Sequence, residues 1–185
     1  DLLLALKNVY VAQENFKEAE KTGQQLAKRS PIFLKTLAEI YMHFNDYDNA
    51  IIAYTKLLSH EPKNATAIIA LHTIFVNKKD IKNQEQYLLK IAINDDIRLE
   101  IKKEIFYNLL SNNRFKEYKS FKDIILSATI LHPEEPIFNL ILGDIYTKET
   151  NYSNAIKHYE QSLNSGIIKD EYVYTKLIEI YWQQE

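Results

Sequence analysis

The sequence predicts an all-α protein of antiparallel helix hairpins, each stacked on the next as a solenoid. Three observations carry that expectation. The 185 residues include only 3 Gly and 4 Pro, far below ordinary usage of roughly 7% and 5%, so tight turns and phosphate-cradling loops are scarce and helix is what remains. Apolar residues recur three and four apart, the spacing that puts side chains on one helix face. One stretch is also written twice: NDYDNAIIAYTKLLSHEPKN, Asn45 to Asn64, returns as TNYSNAIKHYEQSLNSG, Thr150 to Gly166. Tyr47, Ala50, Tyr54 and Leu58 of the first copy fall on Tyr152, Ala155, Tyr159 and Leu163 of the second.

Taken in order, residues 1–30 form a first hairpin, with Leu6 and Tyr10 on one helix and Phe16, Ala19 and Leu26 on the other. At their junction Asn15 and Glu18 have the spacing of a capping box. Residues 31–64 form the second hairpin. Pro31 suits a first helical position, where its missing donor is no loss, and Ser30 is placed to cap that helix. Leu34, Leu37, Ala38 and Tyr41 then fall at i, i+3, i+4 and i+7 on one apolar stripe, and Pro62 stops the following helix. Residues 65–98 give a degenerate third hairpin: Leu71, Phe75, Ile81, Leu88 and Ile91 are in place, but Gln84 stands where the copies carry Ala.

Residues 99–135 give the fourth, with Ile105, Leu109 and Phe115. Pro133 lies 18 residues past Phe115, whereas Pro62 lies 15 past Tyr47, so the second helix of this hairpin is expected to run about one turn longer. Residues 136–169 repeat the second hairpin, PIFNLILGDIYTKE from Pro136 answering PIFLKTLAEIYMHF from Pro31. Residues 170–185 add a final helix whose expected core side is Tyr174, Leu177 and Tyr181. The total is eleven helices and no strand. Ala38 against Ala50, and Gly143 against Ala155, are the expected close helix contacts. Turns between paired helices favour a left-handed residue, which Asn45 and Asn113 adopt at modest cost and which β-branched Thr150 is expected to resist.

This pattern resembles the tetratricopeptide repeat family, a helix–turn–helix unit of about 34 residues with a large residue, Leu, Gly or Ala, and Tyr in its first helix, then Ala, an aromatic, Ala and Pro in its second. Pro31 to Asn64 matches nearly throughout, with Leu34 in place of Trp and Leu57 in place of the late Ala. The resemblance covers the whole chain as five and a half units, 1–30, 31–64, 65–98, 99–135, 136–169 and a final helix 170–185, in a single solenoid. It implies a right-handed superhelix with a concave inner wall.

Composition narrows the function classes. The absence of Cys removes disulfides, thiolate catalysis and Cys-based metal sites, and leaves the compartment open. A formal net charge of −2 argues against a nucleic-acid surface, and no apolar run approaches the roughly 18 residues of a membrane span. The chain opens on DLLLALKNVY, without Met and already in helical pattern, and is expected to be part of a longer protein. His43, His60, His72, His132 and His158 show no i, i+4 pair of the kind that holds a metal. The carboxylates Asp95–Asp96 and Glu134–Glu135 fall at turns, where solvated charge is the expectation. No cofactor, metal or catalytic residue is expected.

Family resemblance implies instead that the inner wall binds a protein or peptide. By repeat position it is lined by Lys35, Glu39, Met42 and His43, by Ile69, Thr73, Val76 and Asn77, and by Glu100, Lys103, Tyr107, Leu110 and Ser111. Leu140, Asp144, Thr147 and Lys148 follow, with Thr175, Glu179, Trp182 and Gln183 on the final helix. The carboxylate clamp of chaperone-binding relatives is not expected, because Leu4 and Thr36 stand where Lys and Asn are needed. The expected function is a non-catalytic scaffold, and the alternative is a spacer or regulatory domain of a larger enzyme or secretion machine. A composition rich in Ile, Asn, Lys and Tyr is similar in texture to envelope-associated repeat proteins of Gram-negative bacteria. The corresponding expectation is a bacterial protein, cytoplasmic or periplasmic.

Overall fold

The structure is a computed structural model that describes residues 2–112, 114–133, 135–164 and 171–183. Among them are eleven α-helices and no strand: α1 Leu2–Ala12, α2 Phe16–Arg29, α3 Leu34–His43, α4 Tyr47–His60, α5 Ala65–Asn77, α6 Ile81–Ile93, α7 Leu99–Ser111, α8 Phe121–Leu131, α9 Pro136–Lys148, α10 Tyr152–Asn164 and α11 Glu171–Gln183. The chain divides into two compact units, 1–87 and 88–185, with the division inside α6. In the first unit α1 packs on α2, α2 on α3 and α3 on α4; in the second, α8 and α10 both pack on α9, and α11 packs on α10.

One turn recurs between paired helices. Glu14, Asn45 and Lys79 in the first unit and Thr150 in the second have φ of 54°, 59°, 56° and 57°. In each case the next amide reaches back to an aromatic residue five positions earlier: Asn15 N to Tyr10 O, Asp46 N to Tyr41 O, Asp80 N to Phe75 O and Asn151 N to Tyr146 O, at 2.8–3.0 Å. This is the Schellman closure, which satisfies carbonyls that a helix end would otherwise leave open. The residue after the left-handed one then caps the next helix through its side chain. Asn15 accepts from Glu18 N, Asp46 from Asn49 N, Asp80 from Asn83 N and Asn151 from Asn154 N.

Thr150 therefore adopts the conformation it was expected to resist. The closure and the Asn151 cap fix the backbone on both sides, and the Thr150 hydroxyl donates to Glu149 O at 2.7 Å. Asn113, expected to act likewise, lies outside the described residues.

Other departures have local polar or packing causes. Pro31 opens a 3₁₀ turn, Pro31–Phe33, ahead of α3, and Ser30 makes no side-chain cap there. Pro136 does stand at the first position of α9. The surplus length of the fourth hairpin goes into a 3₁₀ turn, Arg114–Glu117, and not into a longer helix; α8 has only 11 residues. Aromatic packing explains this, because Phe115 and Tyr118 are drawn in against Phe121, with ring centres 5.8 and 6.2 Å away, and all three are buried. Gln84 fills its alanine slot fully buried by donating to Phe75 O at 2.9 Å. Lys102 is also fully buried, with its ammonium 3.0 Å from Ala92 O at the end of α6 and 2.8 Å from His132 Nε2. Glu135 is buried and ion-paired to Lys103 at 3.0 Å, so this turn carboxylate is not the solvated charge expected of it.

The repeat alanines sit where the spacing places them: Ala38, Ala50 and Ala155 have no exposed surface. Gly143 differs from the expectation, because the space above it is taken by the ring of Tyr159; a Cβ built there would overlap ring atoms. On α11 the buried residues are Val173, Leu177 and Ile180, while Tyr174 and Tyr181 are exposed. That helix is rotated from the expected face, because its packing on α10 takes the more compact aliphatic side. Enlarging Ala50 or Ala155 to Leu should overpack a closed helix contact and cost about 1–3 kcal/mol, measured by chemical denaturation. A loss under about 0.5 kcal/mol at both sites would show that the alanines do not sit at tight crossings.

Candidate binding cavity

In the second unit three helices present one side chain every turn toward a common space. Leu140, Asp144, Thr147 and Lys148 lie at i, i+4, i+7 and i+8 on α9, Tyr107, Leu110 and Ser111 at i, i+3 and i+4 on α7, and Tyr172 and Lys176 at i and i+4 on α11. With Tyr159 of α10 they line an open cleft of about 520 Å³, within the usual range of ligand sites. Leu110, Leu140 and the phenol rings make its walls largely apolar.

The polar centre is Asp144, only 7% exposed. Its Oδ1 accepts from the Tyr159 hydroxyl at 2.7 Å and from the Tyr172 hydroxyl at 2.9 Å. Burial pushes its carboxyl above the ordinary carboxylate range, against the opposing pull of the two tyrosine bonds and of the charges on Lys148 and Lys176. Burial, and then the Asp144 charge, hold both tyrosines well above the ordinary phenol range. The two lysines lie at the cavity edge. The Lys148 ammonium sits 4.1 Å over the Phe115 ring centre, and burial lowers its pKa. The Lys176 ammonium is 2.7 Å from Glu179 Oε2. Ser111 donates its hydroxyl to Asn108 O at 3.2 Å. Among the described residues no three His, Asp or Glu side chains gather as metal ligands.

Of the expected wall residues, Tyr107, Leu110, Ser111, Leu140, Asp144, Thr147 and Lys148 meet at this cavity. The others do not. Lys103 is engaged by Glu135, Glu179 by Lys176, and Trp182 is 76% exposed outside the lining. In the first unit Lys35 lies 3.8 Å from Glu39, His43 lies 3.2 Å from Glu14, the Thr73 hydroxyl bonds Ile69 O, and Asn77 is exposed.

Tyr159, Tyr172 and Lys176 were not among the expected wall residues. Tyr172 and Lys176 follow from the rotation of α11. For Tyr159 a signal was present: Asp144 precedes it by 15 residues, and Glu39 precedes its counterpart Tyr54 by the same interval. Tyr54 is buried, and its pKa is pushed up to about 12 by burial and by the Glu39 charge.

The tetratricopeptide repeat family profile matches residues 34–66 and 140–166, the second hairpin and most of the fifth. These two segments carry tetratricopeptide repeats. Solved structures of similar fold include a MamA RS-1 ArsTM double mutant, 17% identical over 100% of this chain and 95% of that one with a TM-score of 0.53. MamA 41-end from Desulfovibrio magneticus RS-1 is 15% identical over 92% and 96%, with a TM-score of 0.51. Another MamA crystal structure is 16% identical over 89% and 90%, with a TM-score of 0.52. At these identities the likeness is one of fold, an α-solenoid of helix hairpins. No curated protein sequence matches the chain. Tetratricopeptide repeats serve protein–protein interaction, and no described helix of this chain is long and apolar enough to cross a membrane.

Asp144 provides a pH test of the site. A carboxyl raised by burial stabilises the fold most fully below its unfolded pKa, near the ordinary 3.8, and that contribution is lost as pH rises through the higher folded value. Asp144→Asn keeps an acceptor for both tyrosines and removes the buried charge. Its stability relative to the parent protein should therefore rise between about pH 4 and pH 7. Thermal melts of both proteins across that range check this; a relative stability that falls with pH would mean the site stabilises the carboxylate.

Proposed function

We propose that the chain is a non-catalytic interaction scaffold that holds a segment of a partner protein or peptide on the α7, α9 and α11 face of its second unit. The cavity carries this reading. It combines apolar walls with converging polar groups, and seven of its lining residues occupy repeat positions assigned to the binding wall. Alternating apolar and polar positions supply pockets and register for an extended or helical segment. We extend the reading to a bacterial protein that takes part in an envelope or secretion assembly on compositional grounds, the richness in Ile, Asn, Lys and Tyr.

A spacer role has one observation in its favour, confined to the first unit. Lys35 and Glu39 pair with each other and His43 pairs with Glu14, so these expected wall residues satisfy one another at a solvated surface. Binding is accordingly assigned to the second unit.

The test uses peptides of about 12 residues selected from a random library on the intact protein. Tyr107, 55% exposed, and Ser111, also exposed, line the cavity, so Tyr107→Ala with Ser111→Trp should remove one wall and fill the space with little effect on the fold. Affinity for the selected peptides should fall by about ten-fold or more, equivalent to roughly 1.4 kcal/mol. The melting temperature should stay within a few degrees, as for surface changes. Unchanged affinity in this variant would move binding to another surface.

A further inference from the structure

We propose that the cavity accepts a cationic side chain, lysine or arginine, from the partner segment. The proposal rests on the reading of this face as a binding surface and specifies what enters it. Asp144 lies in an apolar-walled cavity, 7% exposed, and among the described residues the groups that hydrogen-bond it are two neutral hydroxyls, those of Tyr159 and Tyr172. A buried carboxylate whose hydrogen-bond donors among the described residues are neutral, with Lys148 and Lys176 acting on it only from the cavity edge, is an incomplete arrangement, because the desolvation of a charge is offset most fully by an opposite charge in direct contact.

The first repeat copy shows what completion looks like on one helix. Glu39, the counterpart of Asp144, has Lys35 one turn before it at 3.8 Å. In the second unit that lysine position is Leu140, which lines the cavity and leaves the cation to come from outside.

The surroundings suit such a guest. Tyr107, 55% exposed, offers a phenol face at the cavity, and the Tyr172 ring, with the Lys176 ammonium 5.6 Å from its centre, already shows the attraction of such a face for a cation. Leu110 and Leu140 match the aliphatic stem of either side chain. The two resident lysines are compensated elsewhere, Lys148 over Phe115 and Lys176 by Glu179. The opposite guest, a carboxylate gripped by those lysines, would have to displace these contacts and would enter beside the buried Asp144 charge.

Three probes separate these cases by NMR titration of the whole protein: Nα-acetyl-arginine amide, Nα-acetyl-norleucine amide and Nα-acetyl-glutamate amide. The arginine probe should saturably shift the ring signals of Tyr107 and Tyr172, and the norleucine probe should bind about ten-fold more weakly or worse. Asp144→Asn should weaken the arginine probe by about ten-fold, whereas Lys148→Ala, a surface change, should tighten it by about two- to three-fold. The proposal is overturned if norleucine matches arginine, if Asp144→Asn leaves arginine binding unchanged, or if glutamate binds best and Lys148→Ala weakens it. Library peptides that need Tyr107 but carry no basic residue would sink the cationic guest and leave the binding face standing. If Tyr107→Ala with Ser111→Trp affects neither peptides nor probes, both readings fall.

Discussion

The second unit is organised around the contact between Gly143 and Tyr159. A hairpin whose crossing is closed by two small residues leaves no room for a ring between its helices, but here the ring occupies the place of the missing side chain. Tyr159 is thereby fully buried on the inner side of α9, and its hydroxyl reaches Asp144 at 2.7 Å. The same ring closes the helix pair and supplies the floor of the cavity. Packing and site share one cause, and any side chain at Gly143 would disturb both.

The two strongest repeat copies show how one framework is turned to two ends. In the first, Ala38 takes the small position, Tyr54 is buried behind it, and Glu39 pairs with Lys35 along its own helix. In the fifth, glycine replaces alanine, leucine replaces the lysine, and the acidic residue turns inward. The shortening from Glu to Asp favours this, since the shorter carboxylate stays close to the backbone, where the two tyrosine hydroxyls meet it. A surface ion pair of the first kind is worth little. The buried carboxylate of the second kind is shielded from solvent, and its charge acts on Tyr159, Tyr172 and Lys148 around it.

Where the repeat loses its pattern, polar groups do the work that small residues do elsewhere. Gln84 ties its helix to the carbonyl of Phe75, and Lys102 closes the end of α6 while approaching His132. Lys103 neutralises the buried Glu135 at the entry to α9. These bonds allow the third and fourth hairpins to stand without the alanine contact, and one of them occupies Lys103, which repeat position alone assigned to binding.

The sequence by itself determined the helices, their pairing and the positions of the alanines, because helical periodicity and the duplicated stretch are local properties that neighbours along the chain enforce. It also determined that Leu140, Asp144 and Lys148 share one face of α9, a consequence of spacing. Tertiary structure alone decided that Lys102 and Lys103 are engaged across helices, and that α11 rotates to bury Val173 and Ile180 and so bring Tyr172 to Asp144. These outcomes depend on contacts between segments far apart in the chain, such as Lys103 with Glu135 and Tyr172 with Asp144. No residue carries such information in its own neighbourhood, and so the cavity became visible only when three helices were set beside one another.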